Sequence, residues 1–160
     1  MICGGTDIVV REEGESQKIE TVSIGEFIYD PFGDKYCEII DILSREVAFG
    51  SCGDKHPLYP VTLELANANK RCDRRKICVS PSQPIMVSSK GLNNEGYTVV
   101  APRTALSLIS TGLAKRPFSL TSVTYFAVFT ETYQYFDVGG MLVRTYSNDI
   151  YGKYQPVDFR

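Results

Sequence analysis

Residues 122–134, SVTYFAVFTETYQ, decide the fold class of this chain. Valine, threonine, tyrosine and phenylalanine dominate the stretch, and these residue types are enriched in β-strands. A Gly139–Gly140 pair follows, and residues 141–146 are again rich in apolar side chains. This order predicts two antiparallel strands joined through a hairpin turn at the glycine pair.

Short strand-like segments continue through the rest of the chain and are separated by residues that favour turns. Gly14 and the sequence DPFGD at residues 30–34 each predict a tight turn. Only residues 102–112 indicate a helix, which Gly112 and Pro117 would close. The predicted strands, in chain order, cover residues 8–11, 36–42, 46–49, 61–65, 77–79 and 85–87. We therefore expect an all-β fold with at most one short helix.

The size and charge of the chain narrow its class further. A chain of 160 residues with 43% hydrophobic content can bury one sizeable core but is short for two domains. We expect one domain over residues 1–148 and a polar tail over residues 149–160. The formal net charge of -2 creates no overall field that attracts nucleic acid, so we expect no nucleic-acid partner. No apolar run approaches the about 20 residues of a membrane helix, and a cytoplasmic protein without a membrane partner is expected.

The cysteines raise the question of disulfides and metals. Five cysteines form an odd set in a chain large enough to fold without crosslinks, which favours reduced thiols. Cys52, His56, Cys72 and Cys78 offer four soft ligands and leave a zinc-stabilised interaction module open. Their spacing is irregular, whereas structural zinc sites usually pair ligands only a few residues apart. We therefore expect no metal and no other cofactor.

The N-terminal stretch MICGGTDIVV places Cys3 just before a predicted strand. A pattern of two aliphatic residues and then a glycine with an acidic residue follows, formed by Ile19, Val22 and the sequence GEFI at residues 25–28. This arrangement resembles the opening block of Hint domains, the self-processing modules of Hedgehog proteins and inteins. The resemblance implies a horseshoe of curved antiparallel strands and makes Cys3 the candidate nucleophile.

Two further blocks occur in the family order and extend the resemblance to about residue 145. Residues 76–87, KICVSPSQPIMV, resemble the central block, which has a Ser or Thr and, after two residues, a His. Here Ser80 and Gln83 occupy those two positions. Residues 133–145, YQYFDVGGMLVRT, resemble the closing block, in which Arg144 and Thr145 stand at the positions of a His-Asn pair.

These departures predict a loss of activity. In the family, the Cys thiol attacks the preceding peptide carbonyl, and the central His is thought to protonate the departing amide nitrogen. General acid-base assistance contributes about 10²–10⁴-fold to such steps, and a glutamine side chain has no proton to transfer. Cleavage before Cys3 would also release only Met1 and Ile2. We therefore interpret Cys3 as a vestigial nucleophile, with Ser80 and Gln83 as the remnants of its partners.

Two other residues offer substitutes for the missing groups. His56 is the only histidine in the chain, and it lies in a predicted loop beside Pro57, so we interpret it as a surface residue and not as a remote acid. Asn148 could cyclise like the terminal intein Asn, but it lies beyond the matching position and we interpret it as a turn residue.

Two sequence features are candidate contact surfaces. Residues 70–76, KRCDRRK, form the one dense basic run, which we interpret as a solvated loop, with a protein or phosphate contact as the alternatives. Six aromatic residues are concentrated in one stretch: Tyr125, Phe126, Phe129, Tyr133, Tyr135 and Phe136. Core packing explains aromatic residues on strands, and those that remain exposed make protein contacts.

The leading hypothesis is a catalytically degenerate Hint-like domain that serves as a structural or protein-interaction component of a larger assembly. A minor structural (capsid) protein of a virus particle, made in the cytoplasm, would fit. The alternatives are an active cysteine-dependent self-cleaving Hint module that uses Cys3, a zinc-stabilised interaction module, and an unrelated β-sandwich or barrel.

Overall fold

A computed structural model describes residues 1–10, 16–66, 74–90, 98–138 and 141–147. Its strands in chain order are β1 (Ile2–Cys3), β2 (Asp7–Val9), β3 (Ser16–Lys18), β4 (Phe27–Asp30), β5 (Lys35–Glu38), β6 (Asp41–Ala48), β7 (Val61–Ala66), β8 (Arg74–Val79), β9 (Pro84–Lys90), β10 (Thr98–Thr104), β11 (Ala114–Lys115), β12 (Ser122–Thr130), β13 (Tyr135–Val138), β14 (Met141–Arg144) and β15 (Tyr146–Ser147). Short 3-10 helices cover Ile19–Thr21, Gly50–Lys55 and Ala105–Leu108. The predicted all-β class is confirmed, and the described ranges contain no α-helix.

The segment 102–112, where the sequence predicts a helix, contains no α-helix. Residues up to Thr104 belong to β10, Ala105–Leu108 form a single 3-10 turn, and residues 109–112 form a turn. Proline is tolerated on edge strands because its missing N–H can face away from the ladder, and β10 is the edge of its sheet. The apolar pattern of Ala105 and Leu108 reflects burial of one face of that turn.

Two main sheets and a hairpin form the fold. The larger sheet has seven strands in the order β11-β7-β8-β1-β12-β15, and β6 also pairs with β12. The second sheet has six strands in the order β10-β9-β14-β13-β2-β3, and β4 and β5 form a separate hairpin. The described pairings are antiparallel except that of β15 with β12.

The β-prone stretch that begins at Ser122 forms the longest strand, β12. It pairs with β6 over eight residues, from Ser122 opposite Ala48 to Phe129 opposite Asp41. On its other edge β12 pairs with β1, which in turn pairs with β8. The stretch with the strongest β-propensity therefore forms the strand that pairs with the N-terminal strand β1.

Two hydrophobic clusters fill the interior. One is mainly aliphatic and includes Ile8, Ile19, Ile28, Val79, Ile85 and Val143. The other surrounds the start of β1 and is rich in aromatic rings: Met1, Cys3, Val47, Phe49, Tyr59, Tyr125, Ala127, Phe129 and Tyr146. Several of the concentrated aromatic residues thus pack in the core, while Tyr133 remains exposed.

The turn predicted at residues 30–34 is confirmed, since β4 ends at Asp30 and β5 begins at Lys35. The buried Asp30 carboxylate accepts the backbone N–H of Phe32 at 2.9 Å, a local bond that favours a tight turn. Asp34 adopts a left-handed conformation with φ of 47°, which aspartate tolerates better than most residues. The turns predicted at Gly14 and Gly139–Gly140 and the boundary predicted at residue 148 lie outside the described residues.

Tyr59 ties the segment before β7 to the loop before β12. Its buried hydroxyl donates to the Pro117 carbonyl at 3.0 Å and accepts the Leu120 N–H at 3.0 Å. Its ring also packs against Phe49, with ring centroids 4.6 Å apart. The hydroxyl therefore bonds two backbone groups of a segment that has little regular structure.

We predict that Tyr59→Phe lowers the free energy of unfolding by about 1–3 kcal/mol, because both backbone groups lose their partner while the ring stays. Tyr133→Phe is the matched control, since its side chain is exposed, and should change stability by less than about 0.5 kcal/mol. Urea unfolding of both variants measures the difference. Equal effects would contradict the role assigned to the hydroxyl.

Candidate functional site

Segments of the three sequence blocks meet at the α-amino group of Met1. Met1 directly precedes β1, which lies between β8 and β12. Ser80 follows the end of β8, Gln83 precedes β9, and Tyr146 begins β15 beside β12. Segments far apart in sequence thereby bring polar side chains to one point of the interior.

Three side chains accept hydrogen bonds from the α-amino group of Met1, whose charged form carries three N–H donors. The Ser80 hydroxyl oxygen is 3.0 Å away and the Tyr146 hydroxyl oxygen is 2.8 Å away. The third acceptor is Oε1 of Gln83. Met1, Ser80 and Gln83 are almost completely buried, so this cluster is closed to bulk water.

Gln83 uses both ends of its carboxamide. Oε1 accepts from the Met1 nitrogen and from the Tyr146 hydroxyl, the latter at 3.2 Å. Nε2 donates to the carbonyls of Arg144 at 2.8 Å and Pro84 at 3.1 Å. A carboxamide offers two acceptor and two donor positions, and all four are used. With 1% of its surface exposed, Gln83 is a saturated structural link between three strands.

A tight turn presents Ser80 and Gln83 together. The Gln83 N–H donates to the Ser80 carbonyl at 3.0 Å, and the Ser80 N–H donates to the Met1 carbonyl at 2.8 Å. The Gln83 carbonyl in turn accepts the Ala105 N–H at 3.0 Å. Pro81 within this turn restricts the backbone, which holds the two side chains on the Met1 side.

The Arg144 and Thr145 side chains are directed to other contacts. The Arg144 guanidinium lies over the Tyr133 ring, 5.3 Å from its centroid, and only the Arg144 carbonyl reaches Gln83. The buried Thr145 hydroxyl accepts the Gln134 N–H at 2.8 Å and lies 2.7 Å from the Thr130 hydroxyl. These contacts join β14 and β15 to the end of β12, and neither side chain supplies a titrating acid or base to the cluster.

Cys3 lies beside a second cysteine instead. The pairing of Ile2 with Val79 puts Cys3 opposite Cys78, and the two thiols are hydrogen-bonded. Burial raises the pKa of Cys3 well above its ordinary value, and the bond and charge of Cys78 raise it further, partly offset by the Met1 amine. With 2% of its surface exposed, Cys3 is a protonated thiol at neutral pH, and the thiolate is the nucleophilic form.

The other sequence candidates lie apart from the cluster. His56 caps the 3-10 helix Gly50–Lys55, where its Nδ1 accepts the Leu58 N–H at 3.1 Å and its ring packs edge-on against Phe49. Among the described residues, no three His, Cys, Asp or Glu side chains are placed to hold a metal ion. Cys72, Asn148 and residues 70–73 of the basic run lie outside the described residues, while Lys76 is exposed on β8.

Sequence reasoning missed Met1 and Tyr146 as members of the cluster. It searched for reactive side chains, whereas Met1 contributes its α-amino group. Tyr146 directly follows the closing block, so its position next to Thr145 was the available signal. Strand alternation gave a second signal. Residues two apart on a strand share one face, so Met1 and Cys3 lie on the same side at different positions and meet different partners.

Comparisons with protein families, curated proteins and solved structures gave the following results. No protein-family model and no curated protein matches the chain. The chain is similar to the solution structure of a bacterial intein-like domain from Clostridium thermocellum, with 14% identity and a TM-score of 0.46 over 91% of this chain and 97% of that chain. None of the helices in the described ranges is long and apolar enough to cross a membrane.

We predict that Gln83→Met, which keeps the side-chain volume, lowers the free energy of unfolding by about 2–4 kcal/mol, because four buried hydrogen bonds are lost. Ser110→Ala removes one bond of an exposed hydroxyl to the Ser107 carbonyl and should cost less than about 0.5 kcal/mol. Chemical unfolding of both variants measures the costs. A Gln83→Met protein as stable as the parent would show that the network is not structural.

Proposed function

We propose that this chain is a Hint-like β domain that has lost self-processing chemistry and serves as a structural or protein-interaction component of an assembly. The observation that carries the proposal is the state of Gln83, which is buried, fully hydrogen-bonded and without a transferable proton beside the Met1 nitrogen. A minor capsid protein of a virus particle would be one such component.

The position of Met1 extends the argument. In the Hint family the central His assists departure of the nitrogen that belongs to the nucleophilic residue itself. In this chain the nitrogen that contacts position 83 is that of Met1, and Cys3 lies two residues further along β1. By this correspondence Met1 stands at the place of the attacking residue. A thioether cannot form the family's thioester, so both the nucleophile and the acid are missing.

The surroundings of Cys3 weigh against the self-cleaving alternative. Its thiol is buried, its pKa is raised, and its hydrogen-bonding neighbour is the Cys78 thiol. A reactive cysteine is instead found in an accessible, electropositive setting that lowers the thiol pKa. Cleavage at Cys3 would require this part of the sheet to open first.

An exposed aromatic surface supports a protein-contact role. On the β4–β5 hairpin, Phe27, Tyr29 and Tyr36 share the outer face by register, with 49% of Phe27 and 37% of Tyr36 exposed. Phe32 at the hairpin turn is 54% exposed and lies edge-on to Tyr135. We call Phe27, Tyr29, Phe32 and Tyr36 the hairpin face. On the inner side of the hairpin Ile28 is fully buried, so the opposite face is directed toward solvent.

A cleft lies beside the hairpin face. Its volume is about 230 Å³, and β5 forms one wall while Thr130, Glu131, Thr132 and Gln134 form the other. Aromatic rings next to polar backbone and hydroxyl groups are typical of protein interfaces, where a dry centre is bordered by hydrogen bonds. The partner that suits this surface is a protein segment with apolar side chains and a polar backbone.

The loss of processing chemistry is tested with a fusion that carries a folded protein before Met1. We predict no release of that protein above background when the fusion is incubated with a strong thiol at neutral pH, because no thiolate and no acid lie at the junction. Gel electrophoresis and intact mass follow the fusion over a day. Cys3→Ala and Cys52→Ala fusions are the matched controls. Thiol-dependent release that Cys3→Ala abolishes and Cys52→Ala preserves would overturn the proposal.

The assembly role is tested with the hairpin face. We expect the parent protein in native extracts to sediment with a complex far larger than its own 17.9 kDa, and the Phe27→Ser/Phe32→Ser variant to sediment at the monomer position. Because both side chains are about half exposed, the unfolding free energy should change by less than ~1 kcal/mol. Leu106→Ser/Leu113→Ser is the matched control, since these side chains are equally exposed elsewhere. A parent protein at the monomer position contradicts the assembly role.

A further inference from the structure

We propose that Cys3 and Cys78 form a dithiol that hydroperoxides oxidise to a reversible disulfide across β1 and β8. This inference is independent of the proposed function, because it concerns the Cys3 and Cys78 thiols and not the hydrogen bonds between the Met1 amino group and Gln83. It assigns a modification site to two hydrogen-bonded thiols on neighbouring strands.

The geometry suits a disulfide. Ile2 pairs with Val79 in antiparallel register, and the Ser80 N–H donates to the Met1 carbonyl, so the next pair along the two strands is Cys3 and Cys78. Directly opposed residues in antiparallel strands have Cα atoms about 4.5–5.5 Å apart. Disulfides span Cα separations of about 4.4–6.8 Å. The bond can therefore form without moving either strand far.

The two thiols differ in a way that suits stepwise oxidation. Cys78 is partly exposed, whereas Cys3 is buried. The hydrogen bond from Cys3 lowers the pKa of Cys78, burial opposes this change, and the Thr62 hydroxyl opposite Cys78 adds to it. Cys78 is thus the more accessible of the two thiols and the one whose pKa is lowered, so it meets the oxidant, and Cys3 is the neighbouring thiol that resolves the product.

The chemistry balances with a hydroperoxide as the only co-reactant. The Cys78 thiolate attacks one peroxide oxygen, the O–O bond breaks, and hydroxide leaves while Cys78 becomes a sulfenic acid. The Cys3 sulfur then attacks the Cys78 sulfur, the S–O bond breaks, and the Cys3 proton leaves with the hydroxyl group as water. The two thiols together lose two electrons, and hydrogen peroxide is reduced to two molecules of water.

The crosslink would act on the centre of the fold. β1 carries Met1, and β8 leads directly into the turn of Ser80 and Gln83. A disulfide between these strands joins the two halves of the buried polar cluster covalently and limits the freedom of the unfolded chain. The oxidised protein is therefore expected to resist unfolding better than the reduced one.

The experiment treats the folded full-length chain with a small excess of hydrogen peroxide, alkylates remaining thiols, and maps the cysteines by peptide mass spectrometry. We expect a Cys3–Cys78 crosslinked peptide that dithiothreitol reverses, together with a rise of several degrees in the thermal midpoint. Cys37→Ser and Cys52→Ser are matched controls and should form the same crosslink. In Cys3→Ser, Cys78 should accumulate as a sulfenic acid that dimedone traps, and in Cys78→Ser, Cys3 should stay reduced.

Several results would overturn the inference. One is a protein that keeps both Cys3 and Cys78 reduced after peroxide treatment while its circular dichroism is unchanged. Another is a disulfide that joins Cys78 to Cys72 or to another cysteine. Should the Cys3→Ser protein fail to fold, the crosslink map of the parent and of the two control variants decides the question alone.

Discussion

The insertion of β1 between β8 and β12 is the constraint on which the rest of the structure depends. Two residues, Ile2 and Cys3, pair with both neighbours at once and thereby complete the seven-stranded sheet. Without them, β8 and β12 would expose their facing edges and the aromatic cluster around Met1 would lose its centre. Both residues of this short strand are buried, each with 2% of its surface exposed, so it is packed into the core as well as paired.

This placement forces a polar group into the interior, and the cluster around Met1 is the consequence. The Met1 nitrogen is a charged α-amino group with three N–H donors, and burying such a group is costly unless it is hydrogen-bonded; Ser80, Gln83 and Tyr146 supply three acceptors. The Nε2 group of Gln83 donates its hydrogen bonds to the carbonyls of Arg144 and Pro84. Such fully satisfied networks specify a unique arrangement of strands, because any shift leaves several groups unpaired at once. A site with this construction is suited to holding the strands in one arrangement.

The same strand pairing separates two kinds of chemistry that the sequence places close together. Met1 and Cys3 are two residues apart, yet one meets the polar cluster and the other meets the thiol of Cys78. The distance along β1 and the identity of the neighbour on β8 decide this difference. The hairpin face, by contrast, depends on neither, since it is anchored through Ile28 and presented to solvent by its own register.

The sequence by itself determined the all-β class, the turn between β4 and β5, and the list of polar positions in the central and closing blocks, because these follow from local propensity and from residue types at short spacing. It failed over residues 102–112, where a short apolar pattern fits an edge strand and a 3-10 turn as well as a helix. Only the tertiary structure decided that Met1, and not Cys3, meets Ser80 and Gln83, and that Tyr146 joins them. The reason is physical: which residue of β1 faces which neighbour depends on strand register and on contacts between segments some 80 and 145 positions apart, and local sequence carries no record of them.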